Sequence, residues 1–186
     1  MSDSATADPD RDLPEEIRWQ GKFVVAKQRG RWEYVARARN IRAAVILALD
    51  GEGGDRSVIL VEQYRMPLGQ RCLELPAGLI GDETEDEEAE ATAARELEEE
   101  TGYRAGKIEA IGDFASSPGM LSETFTLVRA TQLAKVGDGG GVDHEEIVTH
   151  RVRLADVTAF VERKRREGLM IDVKLLLLLG GGMLAV

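Results

Sequence analysis

The stretch from Gly78 to Tyr103, GLIGDETEDEEAEATAARELEEETGY, constrains the fold more than any other part of the chain. Thr84 followed three residues later by Glu87 has the capping-box pattern, and Glu85, Asp86 and Glu88 place negative charge where a helix dipole favours it. A helix is therefore predicted to start near Thr84, and Gly102 is placed to leave it in a left-handed turn. Ala89, Ala93 and Leu97 form one stripe of mostly small apolar side chains, which lets such a helix lie close on a sheet. Glu96, Glu99 and Glu100 fall together on the adjoining face. Carboxylates three and four apart repel and weaken an isolated helix by roughly 0.2–0.5 kcal/mol per pair. A bound cation reverses that sign, and hard divalent ions such as Mg²⁺ take oxygen ligands, often carboxylates together with substrate phosphates and water. On residue types alone, a solvated acidic helix is the competing reading.

At 186 residues with 43% hydrophobic content, the chain suits one globular domain with a small N-terminal annex. The single cysteine, Cys72, excludes an internal disulfide and a Cys-rich zinc site, and reads as a small buried hydrophobe in a reducing compartment. A net charge of −10 argues against nucleic-acid binding, which needs a basic footprint. Residues 1–16 are polar and acidic, unlike a signal peptide, and read as a flexible tail. The longest apolar run, Leu175 to Leu179, is too short to span a bilayer, so the expectation is a cytoplasmic protein without a membrane partner.

Residues 17–40 read as a β-hairpin turning at Arg29-Gly30-Arg31, and residues 41–186 as the main domain. IRAAVILAL and SVILVEQYR are apolar runs of strand length, joined by DGEGGD, and should lie at the heart of a sheet. A short strand from Cys72 to Leu75 leads to the acidic helix, and strands KIEAIGDFAS, TFTLVRATQL and IVTHRVRL follow it. The glycine-rich stretch Val136 to Gly141 reads as flexible, ahead of a second acidic cluster at Asp143, Glu145 and Glu146. Helices are predicted over Asp156 to Arg166, whose basic last turn suits the dipole, and over Asp172 to Leu179.

The run Arg95-Glu96-Leu97-Glu98-Glu99-Glu100-Thr101-Gly102-Tyr103, with Gly81 and Glu87 upstream, resembles the Nudix hydrolase signature G-x5-E-x7-R-E-U-x-E-E-x-G-U, where U is apolar or aromatic. Glu74-Leu75-Pro76-Ala77-Gly78 is similar to the family's E-x-P-A-G run but sits three residues before Gly81, which makes the following loop three residues longer than the pattern. Glu62-Gln63-Tyr64-Arg65 and the loop Ser117-Pro118-Gly119 with Ser122-Glu123 resemble the ADP-ribose pyrophosphatase branch, with Pro118 fifteen residues past Tyr103. The resemblance implies a Nudix-type α/β/α sandwich around a mixed β-sheet with the N-terminal antiparallel β annex. It also implies a homodimer, a nucleoside-diphosphate sugar as substrate, and Mg²⁺ as cofactor, with Mn²⁺ able to substitute.

A diphosphate repels an attacking oxygen, so its hydrolysis needs cations that neutralise charge and lower the pKa of a bound water. Glu96, Glu99 and Glu100 are the ligand candidates, and the resemblance adds the Ala77 backbone carbonyl and Glu145. Arg95, four residues before Glu99, can orient it by an i,i+4 pair. A proton acceptor is expected on a loop that closes over substrate, and the resemblance leaves Asp143, Glu145 and Glu146 as candidates with Glu145 the best match. For substrate binding the resemblance points to Arg65, facing the diphosphate, and to Pro118, Gly119 and Glu123. Trp19, Phe23, Trp32 and Tyr34 are the hairpin aromatics, and Trp32 is carried forward as a candidate for stacking on the base.

Overall fold

The computed structural model describes residues 8–39, 41–81, 87–142 and 145–176. Its annex consists of β1 (Glu15–Gln20), β2 (Val24–Arg29) and β3 (Trp32–Arg37) in one antiparallel sheet. The main sheet is built from β4 (Ala43–Asp50), β5 (Ser57–Arg65), β6 (Gln70–Glu74), β7 (Ala77–Leu79), β8 (Tyr103–Ala115), β9 (Thr124–Lys135), β10 (Val148–Arg153) and β11 (Met170–Ile171). Two helices, α1 (Ala89–Thr101) and α2 (Val157–Arg166), flank it. The sheet runs β11-β6-β5-β4-β9-β8, with β10 beside β5 and β7 beside β4. It is mixed, because β4 pairs with β9 and β6 with β11 in parallel while the other pairs are antiparallel.

The apolar run of β4 is central, and its alternation sorts the core into two layers. Ala44, Ile46 and Ala48 face the layer containing Ala89, Ala93 and Leu97 of α1. Val45, Leu47 and Leu49 face the layer containing Val157 and Val161 of α2. Cys72 is buried, and that burial, with Glu74 and Asp172 nearby, pushes its thiol up to about 12, as suits an inert core residue. Among the described residues, no helix is long and apolar enough to cross a membrane.

Two boundaries differ from expectation, and a third is described only in part. α1 starts at Ala89 with Glu88 as its N-cap, five residues after Thr84, and residues 82–86 lie outside those described. Ala89 is the first residue of the stripe that packs on the sheet, so the observed start coincides with the onset of burial. In the annex, β1 begins at Glu15, within the stretch read as tail, because the Glu15 carboxylate accepts from Tyr34 Oη at 2.5 Å and pairs with Lys27 at 2.8 Å. The predicted last helix is represented by one 3-10 turn at Val173–Leu175, and the remainder of that span lies outside the described residues.

Candidate active site

The two central strands separate soon after they meet. β4 and β5 pair only at Leu49 with Val58 and Asp50 with Ser57. Beyond that point β6 runs beside β5 as far as Glu74 opposite Val61, and after Leu75-Pro76 the chain returns as β7 to pair Ala77 with Val45 of β4. The Ile46 N–H donates to the Pro76 carbonyl at 2.8 Å, so the proline, which has no N–H to satisfy, bridges the gap. A cavity of about 480 Å³ opens here, lined by residues of β4 to β7 and by the carboxylate face of α1. Gly78 lets β7 pass close to that face, since a Cβ there would lie 2.0 Å from Cγ of Glu96.

Glu96, Glu99, Glu100, Arg95 and Glu145 all line this cavity. Arg95 Nη1 donates to Glu96 at 2.9 Å and to Glu99 at 3.3 Å, the predicted i,i+4 contact, and its Nη2 lies 3.6 Å from Glu87. Glu100 is only 5% exposed, and its Oε2 accepts the Ala77 N–H at 3.2 Å. Burial raises the Glu100 carboxyl to about 8; the Ala77 hydrogen bond offsets part of this, while Glu96 and Glu145 add repulsion. Glu96 is raised as well, chiefly by burial, against the pull of Arg95. Among the described residues, no three acidic, His or Cys side chains already converge on a point as metal ligands. The donor set nonetheless fits a hard divalent ion: Glu96, Glu99, Glu100 and Glu145 line one cavity whose lining has no His or Cys, and the buried Glu100 has too little positive charge around it to ionise readily.

The cations of the cavity are held in pairs. Arg65 donates through Nε and Nη2 to both oxygens of the buried Glu74, at 2.6 and 2.7 Å, which leaves Nη1 for another oxygen. Arg37, at the end of β3, donates to Glu123, and this pair brings the annex to the cavity. Lys174 reaches it from beyond β11, beside the Phe125 ring and bound to Asp172 at 2.5 Å. Sequence reasoning missed Arg37, Lys174 and Phe125. Arg37 is one arginine in an arginine-rich run and Lys174 sits in a segment read as an ordinary helix, so no local pattern marks either.

Glu145 comes from the glycine-rich loop, which is held against α1 rather than standing free. The Gly140 N–H donates to the Glu100 carbonyl at 2.9 Å and the Gly141 N–H to the Glu99 carbonyl at 3.0 Å. The Val142 N–H donates to Glu145 Oε2 at 3.3 Å. Glu146 is exposed, does not line the cavity, and accepts from Arg71 only through its carbonyl. Asp143 lies outside the described residues. Trp32, Pro118 and Gly119 are brought together, but in a separate hollow of about 350 Å³ that also takes in Asp8, Arg11 and Tyr34. Glu123 and Arg65 line the carboxylate cavity.

The chain is 35% identical over 128 residues to a methanol dehydrogenase activator from Bacillus methanolicus, covering 68% of this chain and 66% of that protein. It is 38% identical over 123 residues to an ADP-ribose pyrophosphatase from Bacillus subtilis (strain 168), covering 66% of this chain and 63% of that one, so just under two thirds of each relative is matched. A solved structure described as an ADP compounds hydrolase superposes with a TM-score of 0.64 over 81% of both chains at 22% identity, which speaks for the fold. The NUDIX domain model matches residues 39–171, and that span contains the diverging strands, the carboxylate helix and Glu145; the chain belongs to the Nudix family.

Proposed function

We propose that the protein hydrolyses the diphosphate bond of ADP-ribose, adding water to give AMP and ribose 5-phosphate. The observation that carries this reading is the group Glu96, Glu99, Glu100 and Glu145 around one cavity whose positive charges include Arg65, Arg37 and Lys174. Such a cavity suits an anionic substrate only when a cation accompanies it. Glu96, Glu99 and Glu100, with the Ala77 carbonyl, are the proposed holders of Mg²⁺ or Mn²⁺. When bound, the ion supplies charge neutralisation and a more acidic water. Glu145 accepts the proton of the attacking water, Arg65 offers Nη1 to a phosphate oxygen, and Arg95 keeps Glu96 and Glu99 aimed into the cavity. Trp32, Pro118 and Gly119 are candidate contacts for the nucleoside. The annex exposes Ile17, Trp19 and Phe23, an apolar set that supports a homodimer, checked by sedimentation of the protein in solution.

A panel of ADP-ribose, GDP-mannose and UDP-glucose, with products identified in ¹⁸O water, tests the reading. AMP and ribose 5-phosphate are expected from ADP-ribose. Turnover of another sugar nucleotide about 100-fold faster, a gap of roughly 2.7 kcal/mol in transition-state binding, reassigns the substrate. Binding of ADP-ribose with no product in Mg²⁺ removes the catalytic reading altogether.

A further inference from the structure

The last turn of α1 carries Glu98, Glu99 and Glu100 at the negative end of its dipole and has no basic residue of its own. Past the helix's own C-cap bond, its end is closed from outside, carbonyl by carbonyl. Glu98 accepts from the Gly102 N–H, Glu99 from Gly141, and Glu100 from Gly140 and from Thr149 Oγ1. The Thr101 carbonyl accepts from Lys135 Nζ at 2.7 Å, and Gly102 accepts from Val136 and Gly137. Lys135 also donates to the Asp138 carbonyl at 3.3 Å and lies over the Tyr103 ring, so one ammonium ties the end of β9, the loop and the helix together.

This closure needs backbone against backbone. Gly139 has φ +71°, and a Cβ there would sit 2.4 Å from the Thr101 carbonyl carbon; one on Gly102 would sit 2.1 Å from the Gly137 oxygen. The glycines therefore serve close approach as well as freedom of turning. The two carbonyls held by Gly140 and Gly141 belong to Glu100 and Glu99, whose side chains line the cavity, and Glu145 follows four residues after Gly141.

We infer that residues 136–141 form a clamp that sets the position of Glu145 relative to the α1 carboxylates, with Lys135 and Gly139 as its positioning residues. This rests on the assignment of Glu145 to proton transfer. Gly139→Ala forces the clamp off the helix, and Lys135→Met removes its cation while keeping the apolar stem. Each lowers kcat by about tenfold to 100-fold, the scale of a 1 Å misplacement, and leaves the KM for substrate within about threefold, since no contact to substrate is removed. Lys135→Arg restores most of the rate. In a Glu145→Gln background both substitutions become nearly silent, because a mispositioned group that is already absent has no further cost.

Amide hydrogen exchange on the metal-free protein reads the clamp without reference to activity. Gly140 and Gly141 should exchange at least about tenfold faster in Lys135→Met and Gly139→Ala, with Leu97 in the middle of α1 unchanged. Unaltered exchange at both glycines overturns the clamp, as do rate losses that multiply with Glu145→Gln. Should Gly139→Ala fail to fold, the Lys135 pair decides alone, with Lys135→Gln as its further neutral variant. If the unaltered protein hydrolyses no sugar nucleotide, the hydrolytic reading fails while the exchange data still decide the clamp.

Discussion

Glu62 and Glu100 both show little surface, 8% and 5% exposed, yet their carboxyls are driven in opposite directions. For Glu62, on β5, burial acts to raise the pKa, but hydrogen bonds from Lys164, Arg71 and His150 outweigh it and bring it down to about 2. Those partners stand 2.9, 2.8 and 3.0 Å away and come from α2, β6 and β10, so one carboxylate ties four elements together. Glu100 has the Ala77 N–H and like charges as neighbours, and burial takes it up to about 8. Glu100 lies the deeper of the two, and the partners differ as well. A buried carboxylate with a full set of donors holds the fold together, whereas one left short of positive charge marks where an outside cation is useful.

The sharpest way to break this contrast is at the cavity. Glu145→Gln should lower kcat by about 10²- to 10⁴-fold if it is the proton acceptor, while Mn²⁺ titrated into the free protein binds nearly as before. Near-normal kcat would move the role to Asp143 or Glu146. Glu100→Gln should weaken Mn²⁺ binding itself and lower kcat/KM by at least about 10²-fold at fixed metal, without loss of stability in the metal-free protein. A large drop in its urea midpoint would make Glu100 a structural tie like Glu62.

Glu62→Gln should do the reverse, costing about 3 kcal/mol of stability by leaving the half-buried Arg71 and Lys164 short of their counter-charge, with kcat unchanged in the fraction that folds. The pH dependence sharpens the comparison further. Glu62 is depressed, so its contribution is present above the unfolded value of 4.5 and is lost as pH falls towards 2. Glu100 is raised, so in metal-free protein its contribution is present below 4.5 and is lost as pH rises towards 8. Urea midpoints measured across pH should therefore fall on the alkaline side in the unaltered protein and flatten in Glu100→Gln. The smallest effect belongs to Thr149→Val, which removes one of two donors to the Glu100 carbonyl and should cost about 1 kcal/mol in a urea titration.

Much of the fold is legible in the order of residues. The continuous burial of β4 and β5, the small-residue stripe of α1 and the left-handed exit at Gly102 follow from local pattern and recur in the structure. Local signals failed where burial competed with them. Thr84 offers a capping box, yet the helix starts at Ala89, where the stripe meets the sheet. The glycines of 137–141 suggested freedom, yet their lack of a Cβ is what admits the loop to the end of α1.

The order of residues along the chain sufficed for the chemistry of α1, because spacing on a helix places Glu96, Glu99 and Glu100 on one face without help from any other element. It also sufficed for the central strands, since an uninterrupted apolar run has few stable places outside a covered sheet. The charge state of those carboxylates depends instead on depth and on neighbours distant in sequence: Ala77, Arg65 and Glu145 around Glu100, and Arg71, His150 and Lys164 around Glu62. The pairing of Arg37 with Glu123 and the arrival of Lys174 at the cavity likewise needed three dimensions. An electrostatic free energy is a sum over everything nearby, and only the folded chain brings residues dozens of positions apart within range.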